Sequence, residues 1–346
     1  MSNSVIILAA GKGTRMESDL PKVLHRLAGA PILLHVMKSS ATLEPEKLII
    51  VAGHGAAAVG VVALDYDETA EIVLQSEQLG TGHAVSQAKS ALAGCTGDVI
   101  ILYGDTPFVR PETLQSLSAA RKTADIVVLG FNAGDPGRYG RLVMQGDAVS
   151  RIVEYKDASE QERAITFCNS GVICAKAEVL FSLLEVVGND NASGEYYLTD
   201  IVQLANDRNL SVAAVHCDEA ETMGINSRAE LAQAEASFQT RTRAEMMALG
   251  VSLTAPETVY FAYDTVLGRD SQIEPNVVFG PGVTVENSAH IRAFSHLEGC
   301  HVSSGAVVGP YARLRFGTEL AENVRIGNFV ELKNARIEDG AKVNHL

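Results

Sequence analysis

From Leu267 onward a bulky apolar residue recurs every six positions. The series runs Leu267, Ile273, Phe279, Val285, Ile291 and Leu297, slips by one residue, and resumes at Val302, Val308, Leu314, Leu320, Ile326 and Leu332. A second slip leads to Ile337 and Val343. Four residues after many of these stands a small or β-branched residue: Ser271, Val277, Val283, Ala289, Ser295, Ala306, Ala312, Thr318, Val324 and Val330. A helix repeats about every 3.6 residues and a strand about every 2, so neither produces this period. It is the mark of a left-handed parallel β-helix, in which each hexapeptide forms one face of a triangular coil. The bulky residue is expected inside the coil and the small one at its corner.

The residues before this tail follow a different rule. Apolar runs at Val5–Ala10, Leu48–Val51, Glu71–Leu74, Val99–Tyr103 and Ile126–Gly130 read as strands, and Pro31–Ala41, Gly82–Leu92 and Pro111–Lys122 as intervening helices. Such alternation implies an α/β domain with a mostly parallel sheet covered on both faces. Ser227–Leu249 is helix-forming without a break and Gly250 stops it. The expected division is therefore 1–226 for an α/β domain of Rossmann-like type, 227–250 for a connecting helix, and 251–346 for the β-helix. The last hexapeptide is incomplete and no atypical capping repeat closes the array, so a C-terminal truncation is expected.

Composition excludes several functions. The 47% apolar and 20% charged residues suit globular domains. No apolar run reaches the ~18 residues of a membrane span, and no basic, apolar leader opens the chain. Five scattered cysteines show no CxxC pair, which suits reduced thiols in a cytoplasm. A net charge of −14 argues against nucleic-acid binding. A local basic cluster, Lys12, Arg15, Lys22 and Arg26, leaves room for a small phosphorylated ligand. His25, His35, His54 and His83 show no metal-ligand spacing and read as structural or solvated.

The first strand runs straight into Gly11-Lys12-Gly13-Thr14-Arg15-Met16, with Pro21-Lys22 following. Glycines just after a strand let backbone N–H groups approach a phosphate. Neither the dinucleotide fingerprint nor the P-loop fits this spacing. Taken alone, Asp105-Thr106-Pro107 reads as a turn with an Asp cap, Glu154 as a solvated strand end, and Asn226 as a helix N-cap. Asn169 stands in an apolar stretch and needs a hydrogen-bond partner. No Ser–His–Asp or Cys–His set is visible.

Taken together, these residues resemble a known family. LAAGKGTRM followed by PK is similar to the signature of the sugar-phosphate nucleotidyltransferases. Gln75–Ala84, Tyr103-Gly104-Asp105, Tyr139-Gly140-Arg141, Ile152-Val153-Glu154, Asn169-Ser170-Gly171 and Gly224-Ile225-Asn226 narrow the resemblance. It then points to the bacterial bifunctional N-acetylglucosamine-1-phosphate uridyltransferase and glucosamine-1-phosphate acetyltransferase family, over the whole chain. The resemblance implies that Leu8, Ala9, Ala10 and Gly11 form the nucleotide-binding strand and turn. It implies that Arg15 and Lys22 hold phosphates, that Gln75, Gly80 and Thr81 read uracil, and that Tyr103 and Asp105, on either side of Gly104, flank ribose and metal. Gly140, Glu154 and Asn169 would bind the amino sugar, and Asp105 and Asn226 would hold Mg²⁺. The implied reaction joins UTP and N-acetylglucosamine-1-phosphate and releases pyrophosphate.

In the tail, Arg315 and Lys333 match the family's sugar-phosphate positions for acetyl transfer from acetyl-CoA, and His345 matches its general base. Phe316 stands where the family has proline. Because further acyl-acceptor and coenzyme A residues of the family lie beyond Leu346, acetyl transfer is expected to be lost. The resemblance also implies a homotrimer through the β-helix. Two alternatives remain open: a nucleotidyltransferase for another nucleoside triphosphate and sugar phosphate, and a non-enzymatic scaffold of the same architecture.

Overall fold

The computed structural model describes residues 3–345. The chain forms two compact units: residues up to His25 with Pro31–Glu230, and Arg26–Ala30 with the residues from Leu231 on. In chain order the elements are β1 Asn3–Ala9, β2 Arg26–Leu27, β3 Ala30–Pro31, α1 Ile32–Ala41, β4 Lys47–Ala52, α2 Ala56–Tyr66, β5 Glu71–Leu74, α3 Thr81–Gln87, β6 Asp98–Tyr103 and α4 Pro111–Ala120. They continue with β7 Ile126–Asn132, β8 Arg141–Gln145, β9 Ala148–Val153, α5 Glu160–Arg163, β10 Phe167–Lys176, α6 Ala177–Leu184, α7 Asp200–Asp207, β11 Val212–Cys217 and α8 Arg228–Ala248. The expected strands and helices are present. The helix expected over Gly82–Leu92 is regular only to Gln87.

The main sheet of the first unit has the order β11-β7-β10-β6-β1-β4-β5, with β8 and β9 attached beside β10. β1 lies parallel between β4 and β6. Val5, Ile6 and Ile7 have no solvent exposure, as a continuous apolar run covered on both faces requires. Along this order β10 breaks the parallel arrangement, running antiparallel to both β6 and β7, and the attached β8 and β9 pair antiparallel as well. Its register breaks between Asn169 and Ile173. The break has a steric reason: Gly171 adopts φ +91°, and a Cβ there would stand 2.6 Å from the Tyr103 ring.

The second unit contains a left-handed parallel β-helix. Its short strands form three parallel sheets of six, five and four strands; the first strand, Ser252–Leu253, pairs with the second one after it, and from there on successive partners are three strands apart. Partners are separated by 18 residues early, as Gln272 is from His290, and by 17 around the first slip, as His290 is from Val307. Ile273, Ile291, Leu297, Val302 and Leu314 have no exposure, nor do Ser271, Ala289 and Ala306. A second beat accompanies the first. The residue before each small position takes a left-handed conformation, φ 47–76°, from Asp270 through Asn276, Ser288, Phe294, Tyr311, Asn323 and Phe329 to Gly340. The spacing of this beat shortens at Gly299 and Asn334, where the apolar series also slips.

α8 packs against the β-helix core through Met246, buries Ala234 and Phe238 elsewhere along its length, and joins the unit through polar groups as well. The Gln239 amide donates to Phe261 O at 2.7 Å and accepts from Phe261 N at 2.9 Å. The β2–β3 hairpin sits in this unit too. Ala28 N donates to Glu235 at 2.7 Å, and Tyr263 N donates to Ala28 O at 2.9 Å.

Candidate active site

The first unit carries a cavity of about 280 Å³ at the carboxyl ends of β1 and β6, where open parallel sheets gather ligands. Ten of the residues singled out in the sequence line it: Leu8, Ala9, Ala10, Gly11, Lys22, Gln75, Gly80, Thr81, Tyr103 and Asp105. Gly104 backs the wall, its N–H donating to Leu8 O at 2.9 Å. A Cβ on Gly11 would meet nothing within 4 Å, so its backbone faces open space. Gly13 is different. Its φ is +61° and a Cβ would approach Lys22 Cβ to 2.6 Å, so glycine there lets the lysine segment close over the turn.

Lys22 Nζ lies between two oxygens from distant parts of the chain. It donates to Asp105 Oδ2 and, at 2.8 Å, to Asn226 Oδ1. Asp105 follows the end of β6, and Asn226 precedes α8, where its own N–H donates to Glu230 at 2.6 Å. Two hard oxygen donors thus converge on one cationic point. That donor set fits Mg²⁺, which takes oxygen ligands and fills its octahedron with water and substrate phosphate. Among the described residues no group of three or more His, Cys, Asp or Glu gathers into a metal cage, so the ligands beyond this pair would have to come from substrate and solvent. Arg15 lies on the turn Thr14–Met16, exposed and outside the cavity lining.

Gln75 is 3% exposed and its amide donates to Gly80 O at 3.2 Å, with His83 Nδ1 at 3.1 Å. The Gly80–Gly82 turn is held by a segment, residues 194–200, that reads in the sequence as ordinary packing. Tyr196 N donates to Leu79 O and Gly82 N to Tyr196 O, both at 2.8 Å, and Leu198 N donates to Thr81 Oγ1 at 3.0 Å. Gln78 and Ala84, part of the Gln75–Ala84 motif but given no role of their own, also line the cavity, as do Val23 and Glu195, which escaped the sequence reading. Glu195 and Tyr196 had a visible signal in GEYYLTD, but only tertiary packing brings that segment to residue 80.

Beyond Tyr103 lies a second group. β8 pairs with β9 so that Arg141 faces Val153, and β10 meets β8 at Cys168. The next residues along, Gly140, Glu154 and Asn169, therefore stand side by side in one row. Asn169 N donates to Gly140 O at 2.8 Å, and Thr199 Oγ1 donates to Glu154 Oε1 at 3.1 Å. Burial pushes the Glu154 carboxyl above its ordinary range, against the Thr199 bond and with help from Asp200 and Asp157. Burial also pushes the Tyr103 phenol up, with Glu154 and then Asp105 adding to it and a hydrogen bond to Thr81 opposing it. Tyr103 is thus in electrostatic contact with both groups.

Arg315, Lys333 and His345 belong to the second unit. Arg315 N donates to Leu332 O at 2.9 Å, so Arg315 and Lys333 occupy successive coils at matching positions. Arg315 pairs with Glu331 at 3.0 Å. His345 is exposed, on a strand of a different sheet, opposite Asn328.

A β1 turn open to a cleft, with a basic residue and paired oxygen donors at its mouth, defines a nucleotidyltransferase, and residues 5–198 match the MobA-like NTP transferase domain. The structure of a UDP-glucose pyrophosphorylase complexed with UDP-glucose shares this fold, with a TM-score of 0.58 and 14% identity over 70% of this chain and 100% of that one. Two relatives extend the match into the β-helix. The bifunctional protein GlmU of Roseobacter denitrificans is 64% identical over all of this chain and 77% of its own length. That of Ruegeria pomeroyi is 69% identical over 97% of this chain and 74% of its own. The chain belongs to the bifunctional GlmU family. No helix among the described residues is long and apolar enough to cross a membrane.

Proposed function

We propose that the chain transfers uridylyl from UTP to N-acetylglucosamine-1-phosphate, giving UDP-N-acetylglucosamine and pyrophosphate. The observation that carries this reading is the convergence of Lys22, Asp105 and Asn226 at the mouth of the cavity. The Gly140–Glu154–Asn169 row beside Tyr103 adds a polar surface for a sugar. Gln75, Gly80 and Thr81 offer backbone and amide groups to a base. Leu8 to Gly11 and Arg15 border the path of a triphosphate.

The nucleophile is a phosphate oxygen of the sugar phosphate, already anionic at neutral pH, so no side chain has to remove a proton. It attacks the α-phosphorus in line, and pyrophosphate leaves with the bonding electron pair. Catalysis is then positioning and neutralisation of charge. Lys22 supplies a fixed cation to the reacting phosphate, and Arg15, exposed on the Thr14–Met16 turn, a second one to the leaving pyrophosphate. Asp105 and Asn226 would hold Mg²⁺, which when bound supplies further charge neutralisation on the phosphates. Gly140, Glu154 and Asn169 orient the amino sugar through its hydroxyl and amide groups.

Acetyl transfer from acetyl-CoA is not part of this reading. Arg315 and Lys333 stand at matching positions of successive coils, and His345 on a strand of another of the three sheets. The β-helix is read instead as an assembly module for a homotrimer. Five free cysteines support work in a reducing cytoplasm.

Pyrophosphate release measured with the four nucleoside triphosphates against several sugar 1-phosphates tests the proposal. UTP with N-acetylglucosamine-1-phosphate should turn over fastest. Faster turnover with another pair would reassign the substrates, and no turnover with any pair would favour a scaffold.

A further inference from the structure

Among the described residues Arg141 is the largest of the fully buried side chains, 2% exposed, yet none of their carboxylates pairs with it. Its guanidinium is held by main-chain carbonyls instead. Nη1 donates to Tyr139 O and, at 3.2 Å, to Pro136 O, while Nη2 donates to Gly137 O and Arg163 O, each at 3.1 Å. The guanidinium carbon lies 5.6 Å from the centre of the Tyr155 ring, which Arg163 approaches to 4.6 Å. A buried charge is costly unless hydrogen bonds offset its lost hydration, and four main-chain bonds do so for the two terminal nitrogens of Arg141, while its Nε has no partner among the described residues. Here the bonds tie the loop before β8 to the end of α5.

The position of this clamp gives it a consequence. Arg141 is the residue after Gly140, its cross-strand partners Val153 and Cys168 precede Glu154 and Asn169, and its ring neighbour Tyr155 follows Glu154. Side chains alternate across a sheet, so Arg141 points away from the face on which the Gly140 row meets the site. We propose that Arg141 is a positioning residue that sets the sugar-phosphate half of the site by fixing Gly140, Glu154 and Asn169 in one row, without touching substrate. The inference rests on the sugar-binding reading of that row.

Arg141→Lys is the informative variant, because an ammonium keeps the charge but cannot span four carbonyls as a planar fork does. Arg141→Gln removes the charge as well and serves as the second variant. The expected result has two parts. Hydrogen exchange in the substrate-free protein should show the Asn169 amide, bonded to Gly140 O, exchanging about 10-fold faster, with the Val51 amide in β4 unchanged. KM for N-acetylglucosamine-1-phosphate should rise about 10- to 100-fold, the scale of a misplaced positioning group, while KM for UTP stays within about 2-fold. Unchanged exchange at Asn169 in a folded variant would overturn the proposal. So would a loss of kcat with both KM values moving together, which is the mark of general destabilisation. If the wild-type protein turns over no sugar phosphate, the functional reading has failed on its own terms. The exchange measurement then decides the Arg141 clamp by itself.

Discussion

Lys22 illustrates how far single residues can be read. The sequence offered a lysine after a glycine turn, and the fold brings it to Asp105 and Asn226, 83 and 204 residues away in the chain. Lys22→Ala should lower kcat/KM at least ~10²-fold while circular dichroism and thermal melting show an intact fold, because a preorganised charge at the reacting phosphate is lost. Activity within a few-fold of wild type would remove Lys22 from the mechanism. Asp105→Asn takes one of two oxygen ligands from the proposed metal pair. The Mg²⁺ concentration giving half-maximal activity should move upward clearly, and a superimposable titration would argue for ligands elsewhere. Glu154 gives a prediction in pH. Burial raises its carboxyl pKa in the folded state, so its contribution to stability is present below the usual glutamate value and lost as pH rises through the raised one. Glu154→Gln should therefore melt at a higher temperature than wild type near pH 8, and the difference should close near pH 4, about the ordinary glutamate pKa. A wild type that gains stability over the variant with rising pH would contradict the burial of a charge there.

Elements differ in how openly the sequence declares them. The β-helix strands are legible because each has the same local duty, one residue inward in six. Ile291, with no exposure, and Gln272, an exposed outward residue of the preceding coil, make a matched test of that register. Ile291→Ala should cost about 2–5 kcal/mol in urea unfolding, whereas Gln272→Ala should stay within about 0.5 kcal/mol. Similar costs at both sites would mean the coil is out of register. The beat of left-handed corner residues was as regular in the sequence, but Asp, Asn, Ser, Phe, Tyr and Gly share no side-chain property that announces it. Only the backbone shows it. β10 was likewise hidden in its role: its apolar residues fit any central strand, its antiparallel direction shows only in its pairing with β6 and β7, and the close approach at Gly171 depends on the Tyr103 ring.

Over the whole molecule, the division into units does not follow one cut in the chain. Arg26–Ala30 belongs with the second unit, four residues after Lys22. Strand-sized pieces such as β2 and β3 carry too little pattern to announce a partner more than 200 residues away. The proposed homotrimer belongs to this scale. A β-helix offers flat faces, and covering apolar surface on them contributes about 25 cal/mol per Å². Val266, Phe294, Tyr311 and Phe329 are each about half exposed on this unit. Light scattering at tens of micromolar should give three times the chain mass, and a stable monomer would refute the assembly.

By itself the sequence determined what repeats or what is local. It set the six-residue coil, the apolar strands of a covered parallel sheet, the glycine turn after β1, and the types of most cavity-lining residues. These follow from side-chain periodicity and backbone freedom, which act over a few residues. Tertiary structure decided which of those residues meet. It inserted β10 antiparallel between β6 and β7, aligned Gly140, Glu154 and Asn169 across three strands, and set Tyr196 behind the Gly80 turn. It also closed Lys22 onto Asp105 and Asn226. Such meetings depend on the packing of segments far apart in the chain, and no local pattern encodes them.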